Sequence, residues 1–176
     1  MAVILIDATD ELTSQDQRVL AQVMENRRPA VLAINKWDLI EKSTTTAGKY
    51  ASRIKEKLAK FDFLPIIFIS ALSGQRVVRV LPLVDQVHEQ NHRRIGTNEL
   101  NDFLQKCLSR KKPPAKMGRY IQFKYVTQSE VAPPTFVFFV NRPEMVDKTY
   151  ISFLTNQLRA EYGFEGVPIR IKCRRK

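Results

Sequence analysis

The sequence predicts an α/β domain built on a parallel sheet, followed by a smaller α+β domain. Near-continuous apolar runs at residues 3–6, 30–34 and 65–69 indicate three strands that are buried on both faces. Helical patterns alternate with these runs, and such alternation is typical of a parallel sheet. The pattern changes after the third helix, so we predict domains at residues 1–94 and 97–176.

The helices of the first domain are predicted from apolar residues spaced three and four apart. The first is expected at residues 14–26, with Thr13 or Ser14 as its N-cap. The second is expected at residues 46–61 and the third at residues 74–92.

The second domain is predicted to run helix, strand, strand, helix, strand. Thr97 is expected to cap its first helix, and the two prolines after Lys112 are expected to end that helix. Gly163 is expected to stop the second helix. The remaining elements are expected at residues 120–127, 135–140, 146–162 and 167–173.

Composition excludes several classes of protein. The chain is 44% hydrophobic and contains no apolar run of about 18 residues, so no membrane span is expected. The N-terminus lacks a basic region and a cleavage site, so we expect no signal peptide and a cytoplasmic protein. Cys107 and Cys173 have no ligand set near them in sequence and are expected to be free thiols.

The net charge of +11 is unevenly distributed. Residues 96–176 contain 15 of the 29 Lys and Arg but only 7 of the 18 Asp and Glu, which leaves that half at +8. A basic domain in a cytosolic protein favours RNA as its partner. The alternative is a basic face that binds no nucleic acid.

Two polar motifs directly follow predicted strands. Asn35-Lys36-Trp37-Asp38 follows the second strand, and Ser70-Ala71-Leu72 follows the third. Ligands of open α/β sheets bind at the carboxyl ends of strands, so both motifs lie where a ligand is expected. The alternative is that Asn35 and Asp38 only cap the next helix.

The chemistry of these residues suits guanine. The Asp38 carboxylate can accept hydrogen bonds from guanine N1–H and N2–H, an adjacent donor pair that adenine lacks. Asn35 can tie neighbouring loops together, and the Lys36 stem can lie over the base. The Ala71 N–H can donate to guanine O6, so the predicted guanine site comprises Asn35, Lys36, Asp38, Ser70, Ala71 and Leu72.

The whole chain resembles the C-terminal part of the Der (EngA) family of double-domain bacterial GTPases. The matching segments of the first domain include residues 3–9, 35–38 and 66–77, and those of the second include residues 133–137, 139–141, 158–159 and 163–170. Glu11 departs from the family, which usually has a turn glycine there. The resemblance implies the latter half of a P-loop GTPase domain followed by a KH-like domain.

The same resemblance implies ligands and partners. These are GTP or GDP, Mg²⁺ held with the N-terminal half of the G domain, the large ribosomal subunit and its rRNA, and a first G domain packed on the KH-like domain. The implied role is ribosome assembly.

The phosphate-binding motifs of a GTPase are absent from the sequence. There is no GxxxxGK[ST], and Gly48-Lys49-Tyr50 cannot replace it because Tyr50 cannot ligate Mg²⁺. No DxxG follows a strand, since Asp7-Ala8-Thr9-Asp10 has Asp where Gly is required. We therefore expect a fragment that binds GTP weakly and does not hydrolyse it alone.

Two further motifs have a functional and a structural interpretation. His88-Glu89-Gln90-Asn91-His92 matches HExxH, a zinc-protease signature, but it also fits the exposed end of a helix. Gly163-Phe164-Glu165-Gly166 has the GxxG form of a nucleic-acid clamp, but Glu165 would repel a phosphate. We predict a helix end for the first and a helix cap with a turn for the second.

Basic residues of the second domain are the candidates for contact with RNA or the ribosome. Arg170, Lys172 and Arg174 alternate on one strand and so share a face. The full predicted set is Lys111, Lys112, Lys116, Arg119, Arg170, Lys172 and Arg174. The alternatives are a solvated strand edge and, for the whole chain, a stand-alone RNA- or protein-binding module without catalysis.

Overall fold

The structure, a computed structural model, describes residues 1–10, 12–41, 46–115 and 119–175. The chain divides into two compact units. The first unit contains residues 1–90 together with the short segment 165–168, and the second contains residues 91–164 and the last strand.

The first unit is a parallel sheet with helices between its strands, as predicted. Its strands lie in the order β1-β2-β3, and β1 pairs in register with β2 from Ala2↔Ala30 to Asp7↔Asn35. The elements are β1 Ala2–Asp7, α1 Ser14–Glu25, β2 Ala30–Asn35, α2 Thr46–Lys57, β3 Ile66–Phe68 and α3 Val80–His92.

The sequence prediction that β1 is buried on both faces is wrong. Ile4 and Ile6 enter the core, but Val3 is 39% exposed and Leu5 is 57% exposed. The reason is that the described residues cover only the face of β1 that carries Ile4 and Ile6. The central strand β2 is buried throughout except at Asn35.

Helix ends in the first unit follow local backbone chemistry. Thr13 caps α1 with a capping box, in which its side chain accepts from the N–H of Asp16 and the Asp16 carboxylate accepts in return. The predicted third helix begins later than expected, because Gly74 and Arg76 adopt positive φ and the first turn is a 3-10 helix at Val77–Arg79.

The second unit has the predicted order of helix, strand, strand, helix, strand. Strand β4 runs antiparallel to β5, and β6 joins β5 in parallel on its other side. The elements are α4 Thr97–Arg110, β4 Phe123–Glu130, β5 Thr135–Val140, α5 Lys148–Tyr162 and β6 Arg170–Arg175.

The core of the second unit is formed by helices α4 and α5 together with the inner face of its sheet. The fully buried side chains include Leu104 of α4, Tyr150 and Leu158 of α5, and Phe136 and Phe138 of β5. Burying such large apolar side chains is worth about 1.5–3 kcal/mol each. These contacts hold the sheet against one layer of helices.

Four elements of the second unit have boundaries that differ from prediction, and one of them, α5, begins at Lys148 rather than at residue 146. Thr97 is the first helical residue rather than the cap, and Gly96 occupies the cap without a side-chain bond. Strand β4 begins three residues late, because its pairing with β5 starts at Phe123, opposite Val140. Strand β6 begins only at Arg170, since Val167 and Pro168 belong to the segment that packs with the first unit.

Within the described part of the chain, none of the helices has the length and apolar character needed to cross a bilayer.

Candidate functional site

The predicted guanine-site residues come together at the carboxyl edge of the first sheet. Asn35 ends β2 and is paired in register with Asp7, which ends β1. The loop that contains Ser70 follows β3, the neighbour of β2 on its other side. Three loops therefore meet at the edge where open α/β sheets bind ligands.

Asn35 connects these three loops. Its backbone carbonyl accepts from the Ala8 N–H at 2.9 Å, and its side-chain Oδ1 accepts from the Ala71 N–H at 2.9 Å. Ala71 is thus bonded to Asn35 in this structure, and that bond competes with the expected donation from Ala71 to guanine O6.

Lys36 adopts the left-handed conformation, with φ of 59°, and forms an ion pair with Asp7. The bond to Lys36, with those from the Thr9 N–H and hydroxyl, lowers the pKa of Asp7 to about 2. In return, Asp7 raises the pKa of Lys36. The sequence analysis did not predict the ion pair between Lys36 and Asp7. The feature that could have indicated it is the carboxylate at the end of β1.

Asp38 lies in the 3-10 turn Trp37–Leu39. Its Oδ1 is buried and has no hydrogen-bond partner among the described residues. A buried acceptor without a donor is costly, by about 1–3 kcal/mol. The unsatisfied carboxylate oxygen is therefore the feature of this edge that fits the N–H donors of a guanine.

Trp37 anchors the turn that contains Asp38. It is 3% exposed and packs on Phe68 at 4.2 Å between ring centroids and on Tyr50 at 5.5 Å. The backbone N–H of Trp37 also donates to the Ile69 carbonyl at 3.0 Å. Sequence reasoning gave Trp37 no role, although a large apolar residue inside a polar motif is a signal for an anchor of this kind.

Ser70 and Leu72 have opposite environments. Ser70 is fully buried, and its hydroxyl oxygen accepts from the Ser73 N–H at 3.1 Å, so it shapes the loop. Leu72 is 92% exposed and lies at the loop surface.

A cleft of about 180 Å³ lies beside this edge, between the loop after β1 and α2. Its lining includes Thr9, Asp10 and Arg53, but neither Asn35 nor Asp38. The cleft is therefore not the predicted guanine site.

The described residues contain no group of three or more His, Cys, Asp or Glu side chains that could hold a metal ion. His88 and His92 lie at the end of α3, the position that the sequence predicted for them.

The strand β6 presents its predicted basic row on the outer face of the second sheet. Arg170, Lys172 and Arg174 pair in register with residues 135, 137 and 139 of β5. Lys172 forms an ion pair with Glu130 at 3.3 Å, so its charge is already compensated.

Lys111 and the β6 row lie on different sides of the second sheet. Lys111 lies 5.4 Å from the centroid of the Phe153 ring of α5, which places it on the helix side of the sheet. The β6 row lies on the opposite side, because its neighbours Ile171 and Cys173 alternate with it and face the helices. Lys112 and Arg119 are exposed, and Lys116 lies outside the described residues.

The GxxG segment is a cap and a turn. Gly163, with φ of 83°, ends α5, and its N–H donates to the Arg159 carbonyl at 2.8 Å. Phe164 is fully buried and packs edge-on against Phe136. Gly166 donates to the Phe63 carbonyl at 2.8 Å. Phe164 and Gly166 are thus held in the interior, whereas Gly163 and Glu165 are exposed, and the segment is a helix end followed by a turn.

Comparison with known proteins agrees with both halves of this description. Residues 1–92 match the family described as the elongation factor Tu GTP binding domain. Residues 94–174 match the KH-domain-like domain of EngA bacterial GTPase enzymes, C-terminal. This family match, with the fold, defines the first unit as a domain of the GTP-binding class.

Relatives with known names are similar over the whole chain. GTPase Der of Caldanaerobacter subterraneus subsp. tengcongensis is 43% identical over 176 residues, which is all of this chain and 40% of that protein. GTPase Der of Gemmatimonas aurantiaca is 44% identical over 177 residues, 41% of that protein. The chain belongs to the Der (EngA) family of GTPases, and it spans about two fifths of the length of these relatives.

Among solved structures, Aquifex aeolicus Era bound to GDP and AlF4⁻ matches with a TM-score of 0.42 and 14% identity. The match covers 99% of this chain and 64% of that one.

Proposed function

We propose that the first unit is the guanine-recognising half of a GTP-binding domain. Asp38 reads the base, the Lys36 stem covers it, and Asn35 holds the loop of Ser70, Ala71 and Leu72 in place. The observation that carries this proposal is the buried, unsatisfied Oδ1 of Asp38 at the meeting point of three strand-end loops. A guanine would supply the missing donors.

Nucleotide affinity is expected to be weak in this chain. Phosphate contacts supply much of the affinity of such sites through backbone N–H groups and a lysine, and the sequence contains no GxxxxGK[ST]. We infer that the chain does not hydrolyse GTP alone, and that hydrolysis belongs to a longer protein. Sub-micromolar binding of GTP, measured by calorimetry, would contradict this account.

Base selectivity tests the proposal directly. The full chain, labelled with ¹⁵N, is titrated with GDP and with ADP to millimolar concentration. We expect amide shifts near Asn35, Asp38 and Ala71 with GDP only. Asp38→Asn should reduce guanine selectivity by about 10-fold or more, because a hydrogen bond to a charged group contributes about 1.5–3 kcal/mol.

A nucleotide swap supplies the matched control. Xanthine carries a carbonyl where guanine carries the 2-amino group, so the Asn side chain offers it a donor and an acceptor. The amide signals of the Asp38→Asn variant should therefore shift when XDP is added and should no longer shift with GDP. Equal responses of both proteins to both nucleotides would rule out Asp38 as the base reader.

We propose further that the second unit acts in ribosome assembly by binding rRNA of the large subunit. The support is its charge of +8 over residues 96–176 and its membership in a family of bacterial GTPases. A first G domain is a second proposed partner of the same unit, and a cytoplasmic location follows from the role. The rival function is a stand-alone binding module without catalysis.

Salt dependence distinguishes RNA binding from a solvated basic face. For single-stranded RNA the logarithm of affinity falls with the logarithm of salt by about 0.7 for each phosphate neutralised. For an rRNA fragment between 50 and 200 mM salt, we expect the slope of log affinity against log salt to correspond to several neutralised phosphates. An absence of binding at low salt would leave the basic face without this function.

A further inference from the structure

The outer face of the second sheet carries an aromatic pair beside an arginine. Tyr125 of β4 and Phe139 of β5 are register partners, and their rings stack with centroids 4.3 Å apart and planes 16° apart. Arg174 of β6 is the register partner of Phe139 on its other side. The three side chains thus form one row across the three strands.

This row differs from the core face of the same sheet. Phe136 and Phe138, which alternate with Phe139 along β5, are fully buried against the helices. Phe139 and Tyr125 are only partly buried, and Arg174 is exposed. Aromatic rings of this size are usually buried, so a stacked pair at the surface is a candidate for binding.

The other end of this face is closed. Lys172 must cross β5 to reach Glu130 on β4, because its register partner Val137 lies on the strand between them. Val137 lies beneath this bridge and is only 4% exposed. The accessible part of the face is therefore the row of Tyr125, Phe139 and Arg174.

We propose that this row binds single-stranded RNA, with a base stacked on the aromatic pair and a phosphate held by Arg174. The proposal rests on RNA binding by the second unit and assigns it a place and a ligand form. Nucleobases in single strands stack on aromatic side chains whatever their sequence, while those of a duplex are already stacked on each other. Positive charge beside the rings supplies the contact with the backbone.

The structure of the GxxG segment supports this choice of surface. A KH clamp needs an exposed loop, but Phe164 is fully buried and Gly166 is held by the Phe63 carbonyl. On the helix side the Phe153 ring is less suited to stacking with a base than the Tyr125 and Phe139 pair, because Lys111 already lies over it. On the outer sheet face the two rings stack on each other and Arg174 lies beside them.

The test compares variants of the full chain with a fluorescein-labelled 12-nucleotide RNA, single-stranded or annealed to its complement. Tyr125→Leu with Phe139→Leu keeps apolar side chains but removes the rings. We expect this double variant to bind the single strand about 10-fold more weakly, as removal of base stacking does. The matched control, Phe153→Leu, removes a partly buried ring on the helix side and should bind like wild type.

Arg174→Gln separates the two contributions. It should lower the salt slope by about 0.7, whereas the double leucine variant should leave the slope unchanged. Duplex RNA should bind wild type more weakly than the single strand and should not distinguish the leucine variant from wild type.

Each result decides a different statement. If wild type binds neither RNA at low salt, RNA binding by the second unit is wrong and this site falls with it. If wild type binds RNA and both surface variants bind equally well, RNA binding stands and this site is wrong. Equal binding of an acidic peptide, lost in the same variants, would identify a protein partner instead.

A crosslinking experiment on the wild-type protein tests the same site even if the leucine variant does not fold. Wild-type protein is irradiated with the same RNA carrying 4-thiouridine, and crosslinked peptides are identified by mass spectrometry. We expect crosslinks at Tyr125 or Phe139. Crosslinks confined to the helix side, near Lys111, would overturn the proposal.

Discussion

Gly166 is the position at which an added methyl group should be most costly. It adopts φ of +72°, and a Cβ placed there would lie 2.7 and 2.8 Å from the two γ-carbons of Val87 and 2.9 Å from the Ala30 carbonyl oxygen. Val87 is 2% exposed and short, and the Ala30 carbonyl belongs to the backbone of a central strand. Neither Val87 nor the Ala30 carbonyl can move easily to make room for a Cβ at Gly166.

The expected cost of Gly166→Ala has two parts. A non-glycine residue in the left-handed region costs about 1–2 kcal/mol. Overpacking a close-packed site costs about 1–3 kcal/mol more. The free energy of unfolding should therefore fall by about 2–5 kcal/mol, measured as the urea midpoint multiplied by the slope of the transition.

Two other glycines provide matched controls. Gly74 has φ of +74° but nothing within 4 Å of an added Cβ, so Gly74→Ala should cost only the backbone part, about 1–2 kcal/mol. Gly48 lies in α2 with open space around it, so Gly48→Ala should stabilise by about 0.5–1 kcal/mol.

A double variant tests the cause. Val87→Ala removes both γ-carbons, so it should recover part of the loss when combined with Gly166→Ala, a favourable coupling between neighbours. If Gly166→Ala costs no more than Gly74→Ala, or if Val87→Ala recovers nothing, the argument from the contacts of Gly166 is refuted.

Three further predictions concern side chains in both units. Tyr150→Phe should cost about 1 kcal/mol in urea unfolding, because the Tyr150 hydroxyl donates to a backbone carbonyl at the end of α4 at 2.8 Å. Burial raises the pKa of Cys107 and Cys173 to about 11. The unfolded thiols lose protons near pH 8.5, so stability should fall as the pH rises from about 8.5 to 11, and native thiols should react slowly with a thiol reagent at pH 8. An unchanged melting temperature over that range would contradict this. Lys36→Met should raise the pKa of Asp7 from about 2, followed by the NMR shift of its carboxyl carbon; no change would exclude the ion pair.

The meeting of the proposed guanine-site residues at one sheet edge could be predicted because its signals are local in sequence. Asn35 and Ser70 follow runs of apolar residues, and a parallel sheet necessarily brings the carboxyl ends of neighbouring strands to one edge. The same holds for the caps, since Thr13 and Asp16 satisfy each other within one turn, and Gly163 ends the helix that precedes it. The fold class and the order of elements follow from such short-range patterns.

Other features depended on which distant residues the fold brings together. The sequence placed Val3 and Leu5 in a buried strand, but burial depends on what covers a face, and the described residues cover only one face of β1. The pairing of Lys36 with Asp7, and the bond from Ala71 to Asn35, join residues 29 and 36 positions apart.

The basic surface shows the same division between sequence and tertiary structure. The alternation of residues along β6 determined by itself that Arg170, Lys172 and Arg174 share a face. Only the tertiary structure decided that Lys111 lies on the opposite side and that Phe139 stacks on Tyr125 beside Arg174. The physical reason is that strand periodicity is a property of neighbouring residues, whereas strand order and helix packing are set by long-range burial of the core.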